Sequence, residues 1–230
     1  MNEFMLQSAT TGVVISLLAY QLGVWLKAKT KLALFNPLLV SIVLVIAFLL
    51  IFDVDYNNYH HSAKYLSYLL TPATVSLAIP LYEKLDLLKK NLFAVVMGIL
   101  AGVVTSLCTI LLLSLLFDLS HEGYVTLLPK SITTAIGMDV SKELGGYTSI
   151  TATAIIITGI LGNVIGEALC KWFRIKHPIS RGLALGTSSH AIGTTKALEM
   201  GQVEGAMSSL AIVVAGLMTV MLASVFASFY

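Results

Sequence analysis

The sequence predicts an all-α integral membrane protein with about seven to eight transmembrane segments, some of them broken or re-entrant. Three observations carry this. Hydrophobic residues make up 57% of the 230 positions and charged residues only 11%, against about 25% charged in a soluble domain; mean hydropathy is +0.89. Several stretches without Asp, Glu, Lys or Arg reach the roughly 20 residues that a bilayer crossing takes. Between them lie weaker segments rich in hydroxyls, glycine and proline, which are tolerated at membrane depth only where protein or a water-filled cavity surrounds them.

The charge-free stretches are Met5–Leu26, Leu32–Phe52, Leu92–Phe117, Tyr147–Gly166 and Ala206–Tyr230. The first lacks a basic leader before its apolar run, so it reads as a retained span and not as a signal peptide. The weaker segments are Tyr65–Tyr82, Gly123–Val140 and Gly182–Met200. They resemble one another: LTPATVSLAIP (Leu70–Pro80), LPKSITTAIG (Leu128–Gly137) and LGTSSHAIG (Leu185–Gly193) each run from a leucine through small residues to Ala-Ile and then a helix breaker. The breakers are Pro80, Gly137 and Gly193, and Pro72 and Pro129 add further helix breaks, because proline lacks a donor and clashes with the preceding turn. The recurrence divides one transmembrane domain, residues 1–230, into an N-terminal hairpin (5–52) and approximate repeat units 62–117, 121–170 and 182–230.

Charge distribution bears on topology. The linkers Lys27–Lys31, Glu83–Asn91 and Lys171–Arg181 are basic, whereas Asp53–His61 and Asp118–Glu122 are acidic or mixed. Eight simple crossings would place the third basic linker opposite the first two, against the positive-inside rule. If Gly123–Gly146 is a re-entrant hairpin the conflict disappears, and a second hairpin over Gly182–Gly205 would make consecutive units inverted repeats, as in many secondary transporters. Eight full spans with one exceptional loop is the competing expectation.

The chemistry is expected in the broken segments. An interrupted helix exposes backbone N–H groups at one half-helix, where an anion is favoured. Ser131, Thr133, Thr134, Thr187, Ser188, Ser189, Thr194 and Thr195 offer hydroxyls, and Gly137 and Gly193 permit close approach. Lys130 and Lys196 are cations at or near membrane depth, costly unless they serve a site; the bland reading is that they snorkel or pair with Glu143, Glu199 or Glu204. His190 and Glu167 are proton-coupling candidates, although a lone histidine is more often a packing residue and Glu167 also reads as interfacial. The hydroxyls, too, could simply bond to their own helices. The expected ligand is therefore a small organic anion. Cys108 and Cys170 read as bystander thiols, and no metal or cofactor motif occurs. A net charge of +2 without a basic stripe argues against nucleic acid. Ser188, Ser189 and His190 are consecutive and do not make a hydrolytic triad, so an enzyme is not expected.

The segments FNPLLV (Phe35–Val40), LAIPLY (Leu77–Tyr82), LLPKSITTAIG (Leu127–Gly137), RGLALGTSSHAIGTTKALEMG (Arg181–Gly201) and EGAMSSLA (Glu204–Ala211) resemble the LrgB/CidB family of bacterial membrane proteins, often called antiholin-like, and look closest to its CidB branch. The resemblance implies a bacterial plasma-membrane location. It also implies a role in controlling murein hydrolase activity, autolysis and programmed cell death, beside a separately encoded, holin-like LrgA/CidA partner. Relatives are tied to pyruvate uptake, and the plastid relative is a glycolate/glycerate translocator. A fold like those of the cation/proton antiporters and bile-acid transporters is implied, and a homo-oligomer is compatible with it. Two functions follow as expectations: a secondary transporter of a small monocarboxylate, or a non-transporting regulator of the holin-like partner. A passive pore is a weaker third.

Overall fold

The computed structural model describes residues 8, 10–30 and 35–230, and every regular element among them is helical. The chain forms two compact units, Met1–Ser76 and Leu77–Tyr230. The first holds α1 (Thr11–Thr30), α2 (Pro37–Ile51), α3 (Tyr56–Tyr68) and α4 (Leu70–Ser76). The second holds α5 (Ala78–Glu83), α6 (Leu85–Lys90), α7 (Leu92–Leu116), α8 (His121–Leu127), α9 (Thr134–Glu143), α10 (Thr148–Trp172), α11 (Pro178–Met200) and α12 (Gln202–Ala227).

Among the described residues four helices, α1, α7, α10 and α12, are long and apolar enough to cross a membrane. Helix α2 has 15 residues, or about 22 Å at 1.5 Å per residue, so the apolar stretch expected over 32–52 yields a shorter helix; residues 31–34 lie outside the described set.

Local chemistry sets the boundaries. Asn36 accepts hydrogen bonds from the Leu38 and Leu39 amides, and Pro37 opens α2, where its missing N–H costs nothing. Ser120 caps α8 through the Gly123 amide at 3.2 Å. Helices α2, α7 and α10 each end on a phenylalanine followed by a left-handed residue, Asp53, Asp118 or Arg174. The next amide then reaches back to a carbonyl five residues earlier, from Val54 to Leu49, Leu119 to Ser114 and Ile175 to Cys170, at 2.8–3.1 Å.

The helix breaks do not fall on the expected residues. Pro72 and Pro80 sit in the first turns of α4 and α5, where proline is tolerated. Gly137 lies inside α9, and Gly193 lies within α11 beyond its break. Pro129 alone stands in a break, the turn at 128–133. The interruptions come just before the Ala-Ile pairs: at Leu77, at residues 128–133, and at Ser189–His190, where α11 has non-helical dihedrals.

Two of these breaks fold the chain back on itself. Thr151 Oγ1 bonds both the Thr126 carbonyl on α8 (2.9 Å) and Ser141 Oγ on α9 (2.7 Å), so α8 and α9 form a hairpin with its tip at 128–133. In α11, Gly182 and Gly186 pack directly on the α12 backbone at Glu204 and Ser208, while beyond the break Thr194 meets Ser208 and Leu198 meets Gly205. Residues 178–188 therefore run along α12 and 191–200 run back. The first hairpin opens at the C-terminal end of α12, where Tyr124 donates to the Phe226 carbonyl at 2.8 Å. The second opens at the N-terminal end, where Arg181 reaches Glu204 at 3.8 Å. The two hairpins thus enter from opposite ends of α12, a helix of 26 residues.

The core that holds them is a stripe of α7, Val95, Ile99, Val103, Leu107 and Ile110, against Tyr124, Val125 and Leu128 of the first hairpin and Ile179 and Leu183 of the second. Ala206, Met207, Ala211 and Ala215 of α12 complete it.

Candidate functional site

The tip of the first hairpin reaches the middle of α7. Ser131 Oγ lies 3.3 Å from Ser106 Oγ, and Ser106 is near the centre of a helix of 25 residues. The neighbouring face of α7, one residue around from its core stripe, carries Ala94, Gly98, Gly102 and Ser106 at four-residue intervals, with Thr105 and Thr109 beside them. That face, the hairpin tip at Lys130 and Ser131, and Ser180, Leu183, Ala184, Thr187 and Ser188 of the second hairpin line an open cavity of about 530 Å³, within the ~300–1,000 Å³ of typical ligand sites.

Its polar wall suits an anion. Lys130 Nζ bonds Ser131 Oγ at 3.1 Å, and among the described residues it has no carboxylate partner. Among the described residues Lys130 is also the one cation that lines the cavity. Ser188 Oγ bonds Ser189 Oγ at 3.0 Å. Among the described residues Thr187 Oγ1 is buried without a hydrogen-bond partner, a state that costs about 1–3 kcal/mol.

Of the residues expected at the site, Lys130, Ser131, Thr187 and Ser188 line this cavity. The others stand elsewhere. Thr133 and Thr134 begin α9, and Gly137 packs against Ile155 and the Pro129 carbonyl. Ser189 packs against Gly162, and Gly193 against Ser189 and the Leu185 carbonyl. His190 is 4% exposed, with Nε2 3.0 Å from the Ile155 carbonyl oxygen. Thr194 is tied to Ser208 Oγ (2.7 Å) and donates to the His190 carbonyl (2.9 Å). Thr195 accepts from Asn163 Nδ2 at 2.7 Å.

Lys196 is at the mouth of the second hairpin, paired with Glu167 (2.8 Å) and Glu199 (3.3 Å), while Glu167 also holds Lys171 at 2.7 Å. Glu167, Lys171, Arg181 and Glu199 surround a separate space of about 200 Å³. Lys196 and Glu167 thus belong to an ion-pair cluster and do not line the cavity. Cys108 and Cys170 are free, and no group of three or more potential metal ligands occurs among the described residues.

Sequence reasoning passed over Gly98, Gly102, Thr105, Ser106, Thr109 and Ser180. The four-residue recurrence of small residues from Ala94 to Ser106 was the available signal.

A family model described as the LrgB-like family matches residues 16–229. The chain is similar to the antiholin-like protein LrgB of Bacillus subtilis (strain 168), at 43% identity over 94% of each chain. It is 38% identical, over 95% of each chain, to the proteins of the same name from Bacillus cereus (strain B4264) and Bacillus anthracis (strain CDC 684 / NRRL 3495). No solved structure matches. With a family model over nearly its whole length and relatives above 30% identity, and with four helices able to cross a membrane, the chain belongs to the LrgB-like family of membrane proteins.

Proposed function

We propose that the protein is a secondary transporter of a small monocarboxylate, of the pyruvate or glycolate kind, in the bacterial plasma membrane. The observation that carries this reading is the shared cavity. Two hairpins entering from opposite ends of α12 bring Lys130 and Ser131 together with Thr187 and Ser188 beside the middle of α7. Opposed hairpins with broken helices at mid-depth fit inverted repeats and alternating access. A single cation among the described lining residues fits one carboxylate better than two.

The same reading takes 123–146 and 182–205 as re-entrant, so that α7, α10 and α12 each cross once. The basic 171–181 linker then shares a side with 83–91, as the positive-inside rule asks. Residues 1–230 would work as one transmembrane domain, which a homo-oligomer could multiply. The antiholin-like name of the relatives favours a second role, in which this chain acts on a holin-like LrgA/CidA-type partner and so on murein hydrolases. A solute site could feed that decision, and the two readings are compatible.

The test is uptake of labelled pyruvate and glycolate into liposomes holding the purified protein. Wild type should give saturable uptake, Lys130→Gln should lose it, and Lys196→Met, which disturbs only the ion-pair cluster, should retain it at somewhat lower thermal stability. Flux absent from wild type with and without the holin-like partner, or undiminished in Lys130→Gln, would overturn the transporter reading.

A further inference from the structure

The cavity has a narrow place where α7 and the second hairpin touch. Gly102 and Thr187 both line it. A Cβ built on Gly102 would stand 2.7 Å from Thr187 Cγ2, but 3.9 Å from Thr187 Oγ1. The methyl, not the hydroxyl, occupies the space that a larger residue at 102 would need. One turn earlier the fit is looser, since a Cβ on Gly98 would be 3.5 Å from Leu183 Cδ1. Lys130 and Ser131, which mark the polar wall, come from a different element, the first hairpin. The Lys130–Ser131 wall and the Gly102–Thr187 contact therefore come from different elements and can be altered separately.

We propose that the Gly102–Thr187 contact sets the chain length of the carboxylate that the cavity accepts. This rests on the cavity being the solute site. The carboxylate takes the Lys130 end, and the carbon chain extends along α7 towards the contact. The absent side chain at 102 and the single methyl of Thr187 fix the remaining length. A methyl group moved across this contact leaves the space nearly unchanged, whereas one added or removed changes it by about one carbon unit.

The prediction is specific about atoms. Gly102→Ala puts a methyl 2.7 Å from Thr187 Cγ2, so the Thr187 side chain must turn its methyl out of the contact and into the cavity, which shortens the limit. Thr187→Ser removes Cγ2, keeps the hydroxyl and lengthens the limit. The double variant Gly102→Ala/Thr187→Ser carries one methyl on the opposite wall and restores the wild-type order. One methylene in an apolar pocket is worth roughly 10–200-fold in discrimination, so each single variant should shift the ratio of affinities for adjacent acids by about tenfold or more.

The experiment measures binding of glycolate, pyruvate, 2-oxobutyrate and 2-oxopentanoate to the purified full chain by titration calorimetry. Liposome uptake of the same acids is read in parallel. Opposite shifts in the two single variants, with recovery in the double, support the proposal whether or not flux is seen. Binding that weakens uniformly in Gly102→Ala, without a change in the order of the acids, overturns it and makes Gly102 a packing residue. Wild-type binding with an unchanged order in all three variants overturns it as well, and leaves the transporter reading standing if flux is present. If no acid of the series binds wild type, the proposal fails, and absent flux then removes the transporter reading too.

Discussion

His190 occupies a backbone conformation, φ 43° and ψ −140°, that a non-glycine residue adopts at a cost of about 1–3 kcal/mol. The cost is offset by burial and by the hydrogen bond between Nε2 and the Ile155 carbonyl. Both partners are packed so closely that a Cβ on Gly159 would come within 2.7 Å of Nε2. His190 thus works as the pivot of the second hairpin, outside the lining of the cavity. Replacing it separates strain from bonding. His190→Ala should lower stability by about 1–3 kcal/mol, since it loses the bond and keeps the strained backbone. His190→Gly loses the same bond but relieves the strain, and should be the more stable of the two, the reverse of the usual order inside helices. Apparent melting temperatures of the purified variants check this; Gly below Ala would mean that the backbone at 190 is not strained. At this scale Lys130, Ser131, Thr187 and Ser188 were legible because hydroxyls and a cation stand out against an apolar background. For Lys196 the pairing with Glu199 was among the expectations, whereas Glu167, 29 positions away, was not, because sequence spacing does not reveal which distant carboxylate a lysine meets.

At the scale of elements, the sequence indicated that the 123–146 and 182–205 segments are interrupted; Pro129 does stand in the break at 128–133, whereas the break at Ser189–His190 comes several residues before the expected Gly193. Proline and glycine were taken as the breaks themselves. Pro72 and Pro80 instead begin helices, and Gly137 and Gly193 serve close packing within them. The hairpin geometry has a direct topological consequence. On the proposed reading, with both hairpins re-entrant, residues flanking one hairpin belong on one side of the membrane and those flanking the other on the opposite side. Single cysteines at Glu122, Lys142, Lys176 and Gln202, each in a background with Cys108→Ala and Cys170→Ala, test it with a membrane-impermeant maleimide on intact cells. Positions 122 and 142 should react from outside, and 176 and 202 only after permeabilisation. Opposite sides for 122 and 142 would restore eight full crossings. The α7 contribution was not legible in the same way, because an apolar helix with a small-residue stripe looks alike whether the stripe faces a neighbouring helix or a cavity.

For the whole molecule, the question is whether the proposed solute site and the proposed action on a holin-like partner belong to one mechanism. The cavity lies within the second compact unit, among α7 and the two hairpins. A partner protein acting on the outside of the molecule would not need Lys130, which is half-buried at the cavity wall. If the two roles are one, loss of the cavity's cation should abolish the lysis phenotype even though the outer surface is unchanged. Lys130→Gln, produced at wild-type level in a bacterium lacking its own copy, is therefore expected not to restore the normal autolysis rate, while Lys196→Met restores it. Autolysis followed by turbidity, with membrane abundance of each variant measured alongside, decides the matter. Full restoration by Lys130→Gln together with lost uptake would separate the roles, leaving a transporter whose regulatory effect passes through its surface.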